Sequence, residues 1–169
     1  MPDSREVHDS RRLIVMRHAK ARDLPGGPDA QRELSSRGLR DAASAGIWLR
    51  GQGFIPDVVI CSTARRARQT WRQAGAGLAA AVDLHEDPRL YDAGAGELLE
   101  IIRETRPDVA TLMYVGHNPA AQDLASGLLG EPRGFPTAAV AVLGLAAPWV
   151  GAAAGNAELL AYWTPRPAA

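Results

Sequence analysis

The chain has 169 residues, the length of one ordinary domain. Its formal net charge is zero, which excludes a sequence-wide attraction to nucleic acid or to an anionic membrane. Cys61 is the only cysteine, so neither an intrachain disulfide nor a cysteine-rich zinc motif can form, in keeping with a reducing, cytoplasmic setting.

Residues 1–11 are polar and charged, without the apolar core of a signal peptide, and are expected to form a flexible arm ahead of a single domain over residues 12–169. Leu13-Ile14-Val15-Met16 is a short continuous apolar run, the pattern of a strand buried on both faces, and it leads directly into Arg17-His18-Ala19. Ala21 to Glu33 is rich in Gly, Pro, Asp and Arg and is expected to be a loop. Ser35 is placed to cap a helix from Ser36 to about Arg50, with Leu39, Ala42, Ala43, Gly46 and Leu49 on one face and Gly51 and Gly53 ending it.

Asp57 to Cys61 is the second expected strand, followed by Ser62 or Thr63 as the cap of a helix through Gln73. Val82 to His85 is a short third strand, and Glu97 to Thr105 a helix stopped by Pro107. Ala110 to Val115 is a fourth apolar strand, running into Gly116-His117-Asn118-Pro119, with a helix from Ala120 to Leu129 behind it. Ala138 to Leu145 and Glu158 to Trp163 complete the strands. Phe135 to Gly155 is uncharged and long enough to span a bilayer, but it is mostly Ala and Gly and is broken by Pro148, so a buried strand and a turn explain it better. Alternating strands and helices predict a three-layer α/β/α sandwich with a largely parallel central sheet.

In open sheets of this kind ligands sit at the carboxyl ends of the strands. Three strand ends carry chemistry: Arg17-His18, then Cys61-Ser62-Thr63 with Arg65, Arg66 and Arg68 just beyond, and Gly116-His117. Arginines grip phosphoryl oxygens through a planar fork, and a neutral imidazole nitrogen can attack phosphorus. Lys20 is the only lysine, and arginine supplies the other 18 of the 19 basic residues. This abundance reads as codon bias, so arginines away from strand ends carry no weight.

Arg17-His18-Ala19, Ser62-x-x-x-Arg66-Ala67-x-Gln69-Thr70 and Gly116-His117-Asn118-Pro119, in this order, resemble the motifs of the histidine phosphatase superfamily. Arg32-x-Leu34-Ser35-x-x-Gly38, Leu90-Tyr91-Asp92 and the short chain resemble its compact branch, the SixA-type phosphohistidine phosphatases. The resemblance implies a phosphoglycerate mutase-like fold and a metal-independent phosphatase with no cofactor. It implies a nucleophile at His18, phosphoryl-holding arginines at Arg17 and Arg66, and a second pocket histidine at His117. Ala19 stands where the family usually has glycine, and Thr63 where proline is frequent.

The general acid is the open point. Larger members carry a glutamate after the third strand; here Asp92 is the candidate, with Glu97 further on and solvent as a third donor. The remaining histidines, His8 and His85, are read as non-functional. The four tryptophans are read as core or interface anchors, and Cys61 as buried packing.

The expected substrate is protein phosphohistidine, since a compact chain leaves little sequence for a lid, with phosphate or sulfate also expected to bind in the pocket. A small-molecule phosphomonoesterase and a catalytically weak phosphate-binding regulatory module are the alternatives. A metallohydrolase lacks any His-Glu-x-x-His or His-x-Asp spacing.

Overall fold

The computed structural model describes residues 10–146 and 148–167. A six-stranded sheet comprises β1 (Arg11–Arg17), β2 (Val58–Ser62), β3 (Asp83–Asp87), β4 (Thr111–Gly116), β5 (Val140–Leu145) and β6 (Ala157–Trp163). The order across the sheet is β3-β2-β4-β1-β5-β6. β3, β2, β4 and β1 are mutually parallel, whereas β5 runs antiparallel to β1 and β6 antiparallel to β5. The arm expected over residues 1–11 lies mostly outside the described residues, as does His8; Arg11 already pairs with Leu145 in the sheet.

Two helix pairs cover the two faces. α1 (Ser36–Gln52) and α2 (Arg65–Leu78) pack on one, where Ile14, Met16, Val59, Met113 and Val115 meet Ala42, Leu49, Ala67 and Leu78. α3 (Ala95–Arg103) and α4 (Ala120–Leu129) pack on the other, where Leu13, Val15, Leu112 and Tyr114 meet Leu98, Ile102, Leu124 and Leu128. Coverage on both faces is why β1 and β4 read as unbroken apolar runs. Leu13, Ile14, Val15 and Met16 are all fully buried. The architecture is the expected α/β/α sandwich.

Several expectations shift at their edges. Ser35 caps α1 by accepting the Gly38 N–H at 3.0 Å, but the helix runs through Gly51 and turns off at Gly53, whose φ is 77°. Neither Ser62 nor Thr63 is the cap of α2; Ala64 holds that position with no side-chain bond. β5 begins at Val140, because Ala138 sits at φ 63° and cannot continue a strand. The Phe135–Gly155 stretch contains the buried β5 and a 3-10 turn at Trp149–Gly151, and no helix among the described residues is long and apolar enough to cross a membrane. Of the tryptophans, Trp149 is buried with its indole N–H on the Val109 carbonyl at 2.7 Å, and Trp48 stacks on Trp163 at 6.2 Å.

Candidate active site

Parallel pairing brings three strand ends to one edge. Met16 lies beside Val115, Arg17 beside Gly116, and Val115 in turn beside Cys61. The next residues, His18, His117 and Ser62, therefore emerge together. The His18 N–H donates to the Gly116 carbonyl at 2.8 Å, and the His18 carbonyl accepts the Ala138 N–H at 3.0 Å. The His18 backbone is thus fixed from both sides by neighbouring segments.

Helix α2 is tied to the same point. The Ala19 N–H donates to Thr70 Oγ1 at 3.0 Å, and that hydroxyl donates to the Arg66 carbonyl at 2.7 Å. The motif spacing of Arg66 and Thr70, one helical turn apart, is what makes this tie. Ala19 is fully buried and is not among the residues with positive φ, so alanine meets the backbone requirement at the position usually held by glycine.

His18 Nδ1 lies 2.8 Å from the Ala19 carbonyl oxygen. A carbonyl only accepts, so Nδ1 carries the proton and the neutral ring keeps its lone pair on Nε2. Burial pushes the His18 pKa down to about 3, and the nearby His117, Arg66 and Arg17 push in the same direction, against the Ala19 hydrogen bond. The ring is therefore neutral across the ordinary pH range.

His117 lies with its ring centroid 5.3 Å from that of His18, and its Nε2 is 2.8 Å from Ser62 Oγ. Ser62 Oγ also accepts the Ala64 N–H at 3.3 Å. His117 Nδ1 is buried and has no hydrogen-bond partner. Burial first, then the Arg66 and Arg17 charges, push the His117 pKa down to about 4, and Asp29 opposes them. The His117 N–H is held by the Tyr114 hydroxyl at 3.2 Å. That contact requires glycine at 116, since a Cβ there would stand 2.0 Å from the Tyr114 hydroxyl oxygen.

Arg17 Nη1 donates to the Phe135 carbonyl at 3.1 Å, and Asn118 Nδ2 donates to the same oxygen at 2.8 Å. Arg66 is 7% exposed; its Nη1 donates to the Asp29 carbonyl at 2.9 Å and its Nη2 to Asp29 Oδ2 at 3.0 Å. The Nε atoms of both arginines are buried and unpartnered. Arg17 and Arg66 each act electrostatically on both histidines. The site thus offers two unpartnered, cationic N–H groups near a neutral imidazole, which suits an anionic group.

Asp29 and Tyr91 were not picked out as site residues by sequence reasoning. Asp29 opens a 3-10 turn (Asp29–Gln31) in the expected loop, and the Tyr91 hydroxyl donates to its Oδ2. The Tyr91 hydrogen bond, followed by those from Arg32 and Arg66, holds the Asp29 carboxyl well below the usual carboxylate range. The Tyr91 ring also meets His117 edge-on at 5.7 Å. Its appearance in the Leu90-Tyr91-Asp92 run was the one available signal for this corner.

Asp92 and Glu97 are exposed, and neither side chain makes a hydrogen bond or ion pair among the described residues. Arg65 and Arg68 are half-exposed and pair with Glu33 and Glu86 at 3.1 and 3.7 Å, as outward helix residues do. His85 pairs with Asp83 at the surface at 2.9 Å. Cys61 is buried, its thiol pushed up to about 12 by burial. No group of three or more metal-ligating side chains occurs among the described residues.

The sequence model described as "Histidine phosphatase superfamily (branch 1)" matches residues 13–132. Uncharacterized protein Rv1276c of Mycobacterium tuberculosis is 39% identical over 162 residues, covering 89% of this chain and all of that protein. Phosphohistidine phosphatase SixA of Escherichia coli is 29% identical over 133 residues, covering 76% of this chain and 82% of its own length. A solved structure assigned as phosphohistidine phosphatase SixA from Nakamurella multipartitia superposes with a TM-score of 0.83 at 31% identity, covering 92% of this chain and 96% of that one. The protein histidine phosphatase SixA in complex with tungstate superposes with a TM-score of 0.76 at 26% identity, covering 89% and 95% of the two chains. With motifs, sheet order and matched span in agreement, the chain belongs to the histidine phosphatase superfamily, in its compact SixA-type branch, and is a phosphatase.

Proposed function

We propose that the chain removes phosphoryl groups from protein phosphohistidine through a covalent intermediate on His18. His18 Nε2 attacks phosphorus as the bond from phosphorus to the substrate nitrogen breaks. The leaving imidazole keeps the electron pair of that bond and is neutralised by a proton it already carries or takes from solvent. Water then attacks the phosphorus of phospho-His18, loses a proton, and returns the electron pair to Nε2 as phosphate departs. Arg17, Arg66 and His117 supply N–H groups to the phosphoryl oxygens, which gather charge in both transfers.

One observation carries the choice of substrate. The carboxylate bound to Arg66 is Asp29, and its partners keep it ionised, so it has no proton to give. Asp92 and Glu97 are exposed and unattached to this cluster. A phosphoramidate needs less help from an enzymic acid than an alkyl phosphate does, because its nitrogen protonates readily. The name of the Escherichia coli relative points to the same substrate class.

The test compares kcat/KM on a phosphohistidine-bearing protein, a sugar phosphate and p-nitrophenyl phosphate. Preference for the phosphohistidine protein supports the proposal. Preference for the sugar phosphate replaces it with a small-molecule phosphomonoesterase. Phosphate binding without turnover on any of them replaces it with a regulatory binding module.

A further inference from the structure

The terminal nitrogens of Arg66 are already engaged. Nη1 donates to the Asp29 backbone carbonyl at 2.9 Å and Nη2 to its carboxylate at 3.0 Å. Nε stays buried and unpartnered. Asp29 is in turn held by several groups. Tyr91 donates to Oδ2, Arg32 Nη1 donates to Oδ1 at 3.2 Å, and the Arg32 N–H donates to the Asp29 carbonyl at 3.1 Å. Pro28 fixes the entry to the turn at φ −65°. The Arg66 guanidinium also lies over the Tyr91 ring, 6.0 Å from its centroid.

A guanidinium has two edges that can take a forked acceptor: the end-on pair of terminal nitrogens, and the side-on pair of Nε with one terminal nitrogen. Asp29 takes the end-on edge. The side-on edge retains the Nε–H and a second hydrogen on a terminal nitrogen. An arginine side chain is long and flexible, and pinning both ends of its fork removes rotation about the last bonds.

We propose that Asp29 is a positioning residue for Arg66, restrained by Tyr91, and that this clasp presents the side-on edge of the guanidinium to the phosphoryl group. The proposal rests on the reading of Arg66 as a phosphoryl-holding residue. It explains why a carboxylate can sit beside an anion site without closing it: the carboxylate occupies the edge that the phosphoryl group does not use. It also gives the loop over residues 21–33 a function, since its 3-10 turn carries Asp29.

The experiment measures tungstate binding by calorimetry and steady-state kinetics on p-nitrophenyl phosphate for wild type, Arg66→Ala, Asp29→Ala, Asp29→Asn and Tyr91→Phe. Misplacing a group by about 1 Å can cost roughly 10²-fold, so Asp29→Ala should lower kcat/KM by about that much and weaken tungstate binding at least about tenfold. Asp29→Asn keeps an acceptor oxygen for Nη2 and should recover most of both losses, and Tyr91→Phe should fall between. Recovery by asparagine is what a purely electrostatic role would not give, and the paired loss of tungstate affinity in Asp29→Ala and Tyr91→Phe ties the effect to the anion site. If Asp29→Ala does not fold, Tyr91→Phe and Asp29→Asn carry the same test. Tungstate bound as tightly or more tightly after loss of the aspartate side chain overturns the clasp, because Asp29 would then be a competitor of the anion. Tungstate binding in wild type that survives Arg66→Ala overturns the underlying reading of the site instead.

Discussion

His18 and His117 face one another at the ends of adjacent parallel strands, their rings tilted by 57° with centroids 5.3 Å apart. Two imidazoles this close, beside two arginines, cannot both be protonated without strong repulsion. Burial first, with the Arg66 and Arg17 charges adding to it, lowers the pKa to about 3 at His18 and about 4 at His117, and His117 adds to the effect at His18.

A pH dependence follows. Both histidines stay neutral in the folded state down to about pH 4, while in the unfolded chain they protonate near 6.5. Between these values the unfolded state binds more protons, so stability falls as pH falls from about 6.5 toward 4, by up to about 1.4 kcal/mol per pH unit for each histidine. Denaturant melts at pH 7, 6 and 5 should show this slope, and His117→Gln should reduce it. A slope unchanged by that substitution would place the proton uptake elsewhere.

His18→Ala should abolish turnover, with a loss of more than about 10³-fold in kcat, because it removes the proposed phosphoryl acceptor. The far-ultraviolet circular dichroism should stay native, since the strand before it is held by backbone pairing. Near-wild-type activity on every responsive substrate would remove His18 from the mechanism.

Arg66→Lys should cost roughly 10²-fold in kcat/KM, although the charge is kept. A single ammonium cannot bind Asp29 through two separated nitrogens and still offer an N–H to the phosphoryl group. Steady-state kinetics on the best substrate from the three-way screen decide this.

Asp92→Asn separates two roles. A general acid contributes about 10²–10⁴-fold, so loss of that size on an alkyl ester such as the sugar phosphate, but not on phosphohistidine, would make Asp92 the proton donor. Its exposed, unattached position predicts a change below about threefold on both phosphate ester and phosphohistidine.

Gly116→Ala should destabilise the fold by about 1–3 kcal/mol, because the new methyl group would stand 2.0 Å from the Tyr114 hydroxyl oxygen. The tyrosine would have to move and release the His117 N–H. A thermal melt matching wild type would show that Tyr114 yields at no cost.

The strand ends and helix α4 were legible because they rest on local signals: apolar runs, and an expected Ala120–Leu129 helix that coincides with the observed one. The far end of α2 was not. Ala74-Gly75-Ala76-Gly77 looks like a helix stop, yet the helix continues to Leu78, because Gly77 lets α2 approach α1 where a Cβ would lie 2.7 Å from the Ala43 carbonyl oxygen. Ser62 looked like a cap because serine before a helix usually is one, but its hydroxyl faces His117, 55 residues away in sequence. Asp29 was hidden for the same reason. It sits in a loop with no periodicity, and its partners Arg66 and Tyr91 are 37 and 62 residues distant.

The antiparallel strand β5 has a consequence for how the site comes into being. Because β5 runs against its neighbour β1, its entrance lies at the edge where β1 and β4 leave, which brings Phe135 and Ala138 against Arg17 and His18. Every motif residue lies before residue 120, but the oxygen that holds Arg17 belongs to Phe135, 118 residues later. A chain cut after α4 would carry the complete signature and lack the acceptor for Arg17 and the amide that fixes the His18 carbonyl. The pocket is therefore complete only with the segment that leads into β5 in place, a set of contacts far apart along the chain.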